Sequence, residues 1–166
     1  MKTLYLVRHA KSSWADPGLA DRDRPLNRRG MRNGPMMAER LRAKGVRFDQ
    51  MITSPVKRAQ ETLRFFIDGL GVSKSKVRVE EALYGASVDQ WLRLIQQLDE
   101  SWTTAMMVGH NPTITELAHA LGRSDISNVP TCGILACEYD GDYWANFGDD
   151  PKQVFVDFDY PKRVVE

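Results

Sequence analysis

The sequence predicts an α/β fold, a three-layer α/β/α sandwich around a central and mostly parallel sheet, on three observations. Short apolar runs at residues 3–7, 48–53 and 104–108 are too brief for helices and read as buried strands. Between them stand longer segments with helix caps and helical hydrophobic spacing. Strands that alternate with helices in this way build a sheet covered on both faces. The 166 residues suit one ordinary domain, so residues 1–166 are expected to form a single unit around its own core.

The strand at residues 3–7 runs into a loop rich in Gly, Pro and Asp over residues 12–25. Asn27 then stands where an N-cap belongs, and Leu26 is placed to staple onto Met31. The helix should reach Gly45 as its C-terminal cap, and Pro35 within it either kinks it or delays its regular start. After the strand at 48–53, Ser54-Pro55 is an N-cap and first-helical-position pair for a helix to about Gly69. Val77–Val79 is a short strand candidate. Ser87-Val88-Asp89-Gln90 is a capping box, followed by Trp91, Leu94, Ile95 and Leu98 at helical spacing. The strand at 104–108 leads to Asn111-Pro112, which starts a helix ending near Gly122. Two strand-like runs, 133–139 and 143–147, follow, joined by the turn residues Asp140-Gly141-Asp142.

Composition narrows the function. With 42% hydrophobic and 27% charged residues, the chain has the make-up of a globular protein. Lys and Arg number 23 against 22 Asp and Glu, so no global field draws it to nucleic acid or to an acidic membrane, and neither is an expected partner. No apolar run approaches the length of a membrane span, and Arg8 interrupts the N-terminal run before a signal-peptide core forms; a cytoplasmic location is expected. Cys132 and Cys137 lie five apart on an apparent strand and so point to opposite faces, which predicts two buried thiols rather than a disulfide. With only three histidines, none at i, i+4 spacing, and no Cys-x-x-Cys pair, neither a metal nor another cofactor is expected.

Three fragments share one geometry. Val7-Arg8-His9 ends the first strand, and Thr53-Ser54-Pro55 ends the second and leads into a helix with Arg58 in its first turn. Val108-Gly109-His110-Asn111-Pro112 ends the third strand and opens another helix. Ligands of open α/β sheets bind at the carboxyl ends of the strands, where all three fragments converge. Helix N-termini favour anions, and Arg58 stands against its own helix dipole unless an anion lies nearby. The forked donors of Arg8 and Arg58 suit phosphate. A neutral imidazole beside them can attack phosphorus in line, so His9 is the candidate nucleophile and His110 a stabiliser of the equatorial oxygens. A leaving oxygen would also need a proton, usually from a carboxyl group.

These residues resemble the histidine phosphatase superfamily. Its Arg-His-Gly motif stands here as Arg8-His9-Ala10, and its Ser-Pro-x-x-Arg-Ala-x-x-Thr segment as Ser54-Pro55-Val56-Lys57-Arg58-Ala59-Gln60-Glu61-Thr62. Gly109-His110-Asn111-Pro112 and Arg24-Pro25-Leu26-Asn27-Arg28-Arg29-Gly30 match two further elements, in order. The chain is most similar to the short SixA-type phosphohistidine phosphatases and lacks the lid insertions of phosphoglycerate mutases. The resemblance implies a phosphoglycerate mutase-like fold and a metal-independent phosphatase with a phosphohistidine intermediate on His9. It implies a phosphate pocket of Arg8, Arg58 and His110, with Arg24 also reaching the phosphate. For the proton donor it suggests Asp21, with Asp23, Glu80 and Glu81 as the other candidate carboxylates. Ala10 departs from the usual glycine.

The implied substrate is phosphohistidine on a protein, such as a histidine phosphotransfer domain. The rival readings are a phosphomonoesterase acting on small phosphoesters and a non-catalytic phosphate-binding module. Trp14 either lines the pocket mouth or packs in the core, and His119 either packs or faces solvent. Arg28-Arg29-Arg32 and Arg40-Arg42-Lys44 read as solvated helix faces that could attract an acidic partner.

Overall fold

The computed structural model describes residues 1–149 and 153–164. Its elements are β1 (Lys2–Arg8), α1 (Arg28–Ala43), β2 (Gln50–Thr53), α2 (Lys57–Leu70), β3 (Val77–Val79), α3 (Val88–Gln96), β4 (Thr104–Gly109), α4 (Thr113–Ala120), β5 (Ile134–Tyr139) and β6 (Gln153–Asp159). One sheet has the order β3-β2-β4-β1-β5-β6. The first four strands in that order run parallel; β5 lies antiparallel to β1, and β6 antiparallel to β5.

Alternation along the strands feeds two cores. Leu4, Leu6, Ile52, Ala105 and Met107 face one layer, with Trp91 and Ile95 of α3 and Ile114 and Leu117 of α4. Val7, Met51, Met106 and Val108 face the other, with Met37 and Leu41 of α1 and Leu63 and Phe66 of α2. These side chains are almost wholly removed from solvent, and each large one contributes roughly 1.5–3 kcal/mol by its burial. Cys137 lies in the first core and Cys132 in the second, and both thiols are unpaired; Cys132 stands in a turn before β5 rather than on the strand, so it is the two separate cores and not strand alternation that keep them apart.

Local signals account for most boundaries. The Asn27 side chain accepts from the Gly30 N–H, and Ser87 and Gln90 complete both bonds of the capping box. At the end of α1, Gly45 has φ 71° and donates to the Arg42 carbonyl, while Val46 donates to that of Leu41, a Schellman stop. The helix runs through Pro35, next to Gly34, where a Cβ would lie 2.1 Å from the Phe65 ring. The close approach of α1 and α2 therefore requires glycine there.

Four expectations are corrected. Met31 stays 49% exposed while Leu26 is buried, so no buried staple joins them. Helix α2 begins at Lys57 with Val56 as N-cap and no side-chain cap bond, because the Ser54 hydroxyl is engaged elsewhere. Helix α4 begins at Thr113, and Asn111 caps it from outside by accepting from the Thr115 N–H. The run at 143–147 is no strand: Trp144–Asn146 is a 3-10 turn that buries Trp144 and Phe147, which stand three apart. The second tail strand is β6, which pairs with β5 through a register shift at Ala136/Cys137.

Candidate active site

Strand register brings the three fragments level. Arg8 pairs with Gly109 and Thr53 with Val108, so the next residues of β1, β2 and β4, His9, Ser54 and His110, leave the sheet side by side. The Ser54 N–H donates to the Val108 carbonyl and the His9 N–H to that of Gly109. Cys132, in the left-handed region at φ 59°, donates its N–H to the carbonyls of both Arg8 and His9 and holds the end of β1 in place.

The ring centroids of His9 and His110 are 5.2 Å apart. His9 Nδ1 lies 2.7 Å from the Ala10 carbonyl oxygen, and because that oxygen can only accept, Nδ1 carries the proton and Nε2 keeps its lone pair. Burial pushes the His9 pKa down to about 3, helped by His110, Arg58 and Arg8 and opposed by the bond to Ala10. Burial also lowers His110 to about 4, with Arg58 and Arg8 adding to it and Asp21 opposing. Both rings are neutral at pH 7. His110 Nε2 meets the Ser54 hydroxyl at 2.7 Å, and its buried Nδ1 has no hydrogen-bond partner among the described residues. If the Ser54 O–H donates to Nε2, Nδ1 bears the hydrogen and becomes a donor. Burial raises both cysteine thiols to about 12, so neither competes as nucleophile.

Around the histidines lies a lattice of arginines. Arg8 donates through Nη1 to the Val129 carbonyl (2.9 Å), and its buried Nε has no hydrogen-bond partner among the described residues. Arg58 donates through Nη1 to the Asp21 carbonyl (2.7 Å) and through Nη2 to the Asp21 carboxylate (3.1 Å). Arg24 donates to that carboxylate (3.1 Å), to the Ser13 carbonyl and to the Ser12 hydroxyl. Three of its five N–H groups are thereby committed, leaving two. The Tyr84 hydroxyl completes the set by donating to Asp21 Oδ2 at 2.6 Å. Buried donors without protein partners, on residues that also repel one another, suit an oxyanion.

Asp21 thus joins the site, but as an ionised clasp. The Tyr84 hydrogen bond, with Arg58 and Arg24, holds its pKa down at about 2. A carboxylate in that state is deprotonated at neutral pH. The other candidates sit apart: Glu81 pairs with Arg22, Glu80 accepts from the Ala82 N–H, and Asp23 lines a groove of about 740 Å³ between α2 and β3 with Lys57 and Arg64. Trp14 is at the mouth, 71% exposed, with the Arg24 guanidinium 3.3 Å from its ring centre. His119 is exposed and bonds the Ile126 carbonyl.

Sequence reasoning missed three parts. Tyr84 leaves no local signal, since its partner is 63 residues away. Ser54 reads as a cap until its partner is seen. Thr62 stands in a recognised motif, yet its link to Ala10 needs the fold. A cavity of about 360 Å³ lined by Tyr84, Trp91, His110 and Asn111 adjoins the site. Among the described residues no group of three His, Cys, Asp or Glu side chains could hold a metal ion, and no helix is long and apolar enough to cross a membrane.

Comparison with known proteins agrees with this geometry. The model of the histidine phosphatase superfamily (branch 1) matches residues 4–111. An uncharacterised protein of Mycobacterium tuberculosis is 33% identical over 150 residues, covering 84% of this chain and 90% of its own. A crystal structure from Agrobacterium tumefaciens, described as that of a candidate phosphohistidine phosphatase SixA, superposes with a TM-score of 0.82 at 26% identity, over 96% of this chain and 98% of the other. A similarly described structure from Nakamurella multipartitia shares the fold, with a TM-score of 0.82 at 24% identity over 98% and 97% of the two chains.

Proposed function

The chain belongs to the histidine phosphatase superfamily, and on that premise we propose that it removes the phosphoryl group from phosphohistidine on a protein, through a covalent intermediate on its own His9. The observation that carries the reading is the bond from His9 Nδ1–H to the Ala10 carbonyl, which leaves Nε2 of a neutral ring as the nucleophile.

In this mechanism Arg8 and Arg58 hold the phosphoryl oxygens, with the two remaining N–H groups of Arg24 in support. Nε2 of His9 attacks phosphorus in line as the bond to the leaving atom breaks, and the leaving group keeps that electron pair. His110 donates from Nδ1 to an equatorial oxygen as charge builds there. Water then attacks the phosphorus of phospho-His9. The P–N bond breaks, inorganic phosphate departs with the proton that water loses, and Nε2 recovers its lone pair.

Asp21 supports the choice of substrate. An alkoxide leaving group needs an acid poised to protonate it, whereas the clasped Asp21 is ionised. An imidazole leaving group protonated from solvent on its far nitrogen departs as a neutral base and needs no such acid. The rim, built of the short turns Asp21–Asp23 and Glu81–Leu83, suits a substrate presented on a protein surface.

Acid-quench trapping tests the proposal, with a histidine phosphotransfer domain labelled on its phosphohistidine as donor. Wild type should acquire alkali-stable, acid-labile label, and His9→Ala should acquire none and turn over at least about 10³-fold more slowly. Equal turnover by His9→Ala without label would overturn the nucleophile assignment. Turnover of small phosphoesters but not of the labelled domain would overturn the substrate.

A further inference from the structure

The start of α1 carries Arg28, Arg29 and Arg32, with no acidic residue in its first turn. All three are exposed, and among the described residues none takes part in an ion pair. At about 100° per residue they fall within an arc of about 100°, opposite the buried Gly30, Gly34, Met37, Ala38 and Leu41. Three like charges on one face repel, and they stand at the positive end of the helix dipole. The other end of α1 behaves in the opposite way. Its basic residues suit the dipole and are neutralised as well, Arg40 by Asp159, Arg42 by Glu39 and Lys44 by Asp157.

The start of α1 packs beside the loop that follows His9. The Asn27 N–H donates to the Lys11 carbonyl at 2.9 Å, and a Cβ on Gly30 would lie 2.3 Å from the same oxygen. The first turn of α1 therefore packs on the segment two residues beyond His9. Trp14, exposed on the same loop, adds an aromatic anchor of the kind that carries binding energy at interfaces. Since the net charge of the chain is only +1, this is a local positive field rather than a general one.

Resting on the substrate reading above, we propose that Arg28, Arg29 and Arg32 form the docking face for an acidic surface of the phosphorylated protein substrate. Binding would supply the counter-charge that the helix lacks, and would set the substrate phosphohistidine over His9.

The test reverses all three charges in the full chain, Arg28→Glu with Arg29→Glu and Arg32→Glu. Glutamate suits a helix N-terminus, so the variant keeps its fold. Two substrates are compared, an acidic histidine phosphotransfer domain phosphorylated on its histidine, and phosphoramidate, a small molecule with the same P–N bond. For the domain, KM should rise about tenfold or more, and the difference should shrink in about 0.5 M salt. For phosphoramidate, kcat and KM should stay within about twofold of wild type. An unchanged KM for the domain, or an equal rise for both substrates, overturns the docking face. An effect confined to binding of duplex DNA or of phosphatidylglycerol vesicles also overturns it, and assigns the arginines to another partner. If wild type turns over phosphoramidate but never the phosphorylated domain, the substrate reading itself fails.

Discussion

The Ala10 N–H donates to the Thr62 hydroxyl at 2.9 Å, and that hydroxyl donates to the Arg58 carbonyl at 2.7 Å. The residue whose carbonyl orients the His9 ring is thereby fixed to the helix that carries Arg58, so nucleophile and anion donor keep one spacing. Thr62→Val preserves shape but strands the Ala10 N–H at a position with no solvent exposure. Stability should fall by about 1–3 kcal/mol, read as a thermal midpoint lower by roughly 3–10 °C. kcat should fall about tenfold or more, and Thr62→Ser should restore both. An unchanged kcat would reduce Thr62 to a packing residue.

The histidines set the pH response. With His9 near 3 and His110 near 4, the acid limb of kcat/KM should lie near pH 4, well below the ordinary histidine value of 6.5. Between 6.5 and these folded values the unfolded chain binds more protons than the native one. Stability from these groups is therefore complete above 6.5 and declines as pH falls through that window. Asp21, lowered from 3.8 to about 2, adds a loss of the same sign at lower pH. Urea unfolding at pH 7 and pH 5, beside a rate profile, checks both. An acid limb near 6.5 would mean that the His9 ring is charged in the resting site.

Asp21→Asn separates the clasp from a proton donor. Removing a carboxylate that neutralises Arg24 and Arg58 should tighten inhibition by inorganic phosphate several-fold. On the phosphorylated domain kcat should stay within about threefold of wild type. A fall of about 100-fold or more would instead identify Asp21 as the general acid.

Ser54→Ala removes the one hydrogen bond that the His110 ring makes among the described residues. The tautomer with hydrogen on Nδ1 is then no longer selected, and kcat should fall about tenfold with little change in KM. Measuring phosphate inhibition alongside distinguishes this from a collapsed pocket, in which phosphate would also bind less well.

Much of this was legible before folding because it is local. A cap such as Asn27 or Ser87 acts within one turn, and the apolar runs of β1, β2 and β4 carry their own pattern. The strand β6 also carried a signal, the β-branched and aromatic run from Gln153 to Asp159, which the nearer run at 143–147 obscured. Composition explains that error: Tyr143, Trp144 and Phe147 are aromatics that favour strands, yet Trp144 and Phe147 are both buried three residues apart around a 3-10 turn, a spacing that strand alternation does not give.

By itself the sequence determined the α/β class, the sites of the turns and the convergence of His9, Arg8, Arg58 and His110 at the strand ends. It also determined the family, through four ordered motifs. Only the tertiary structure decided what state each group is in. The Asp21 pKa is held below its ordinary value because Tyr84, Arg58 and Arg24, from three separate segments, donate to the carboxylate at once. His9 presents Nε2 because the Ala10 carbonyl is held against its ring, and Ser54 serves His110 instead of a helix end. Motif and periodicity act along a few residues of chain, whereas protonation and tautomer follow from burial and from partners that meet only after the sheet has set its register.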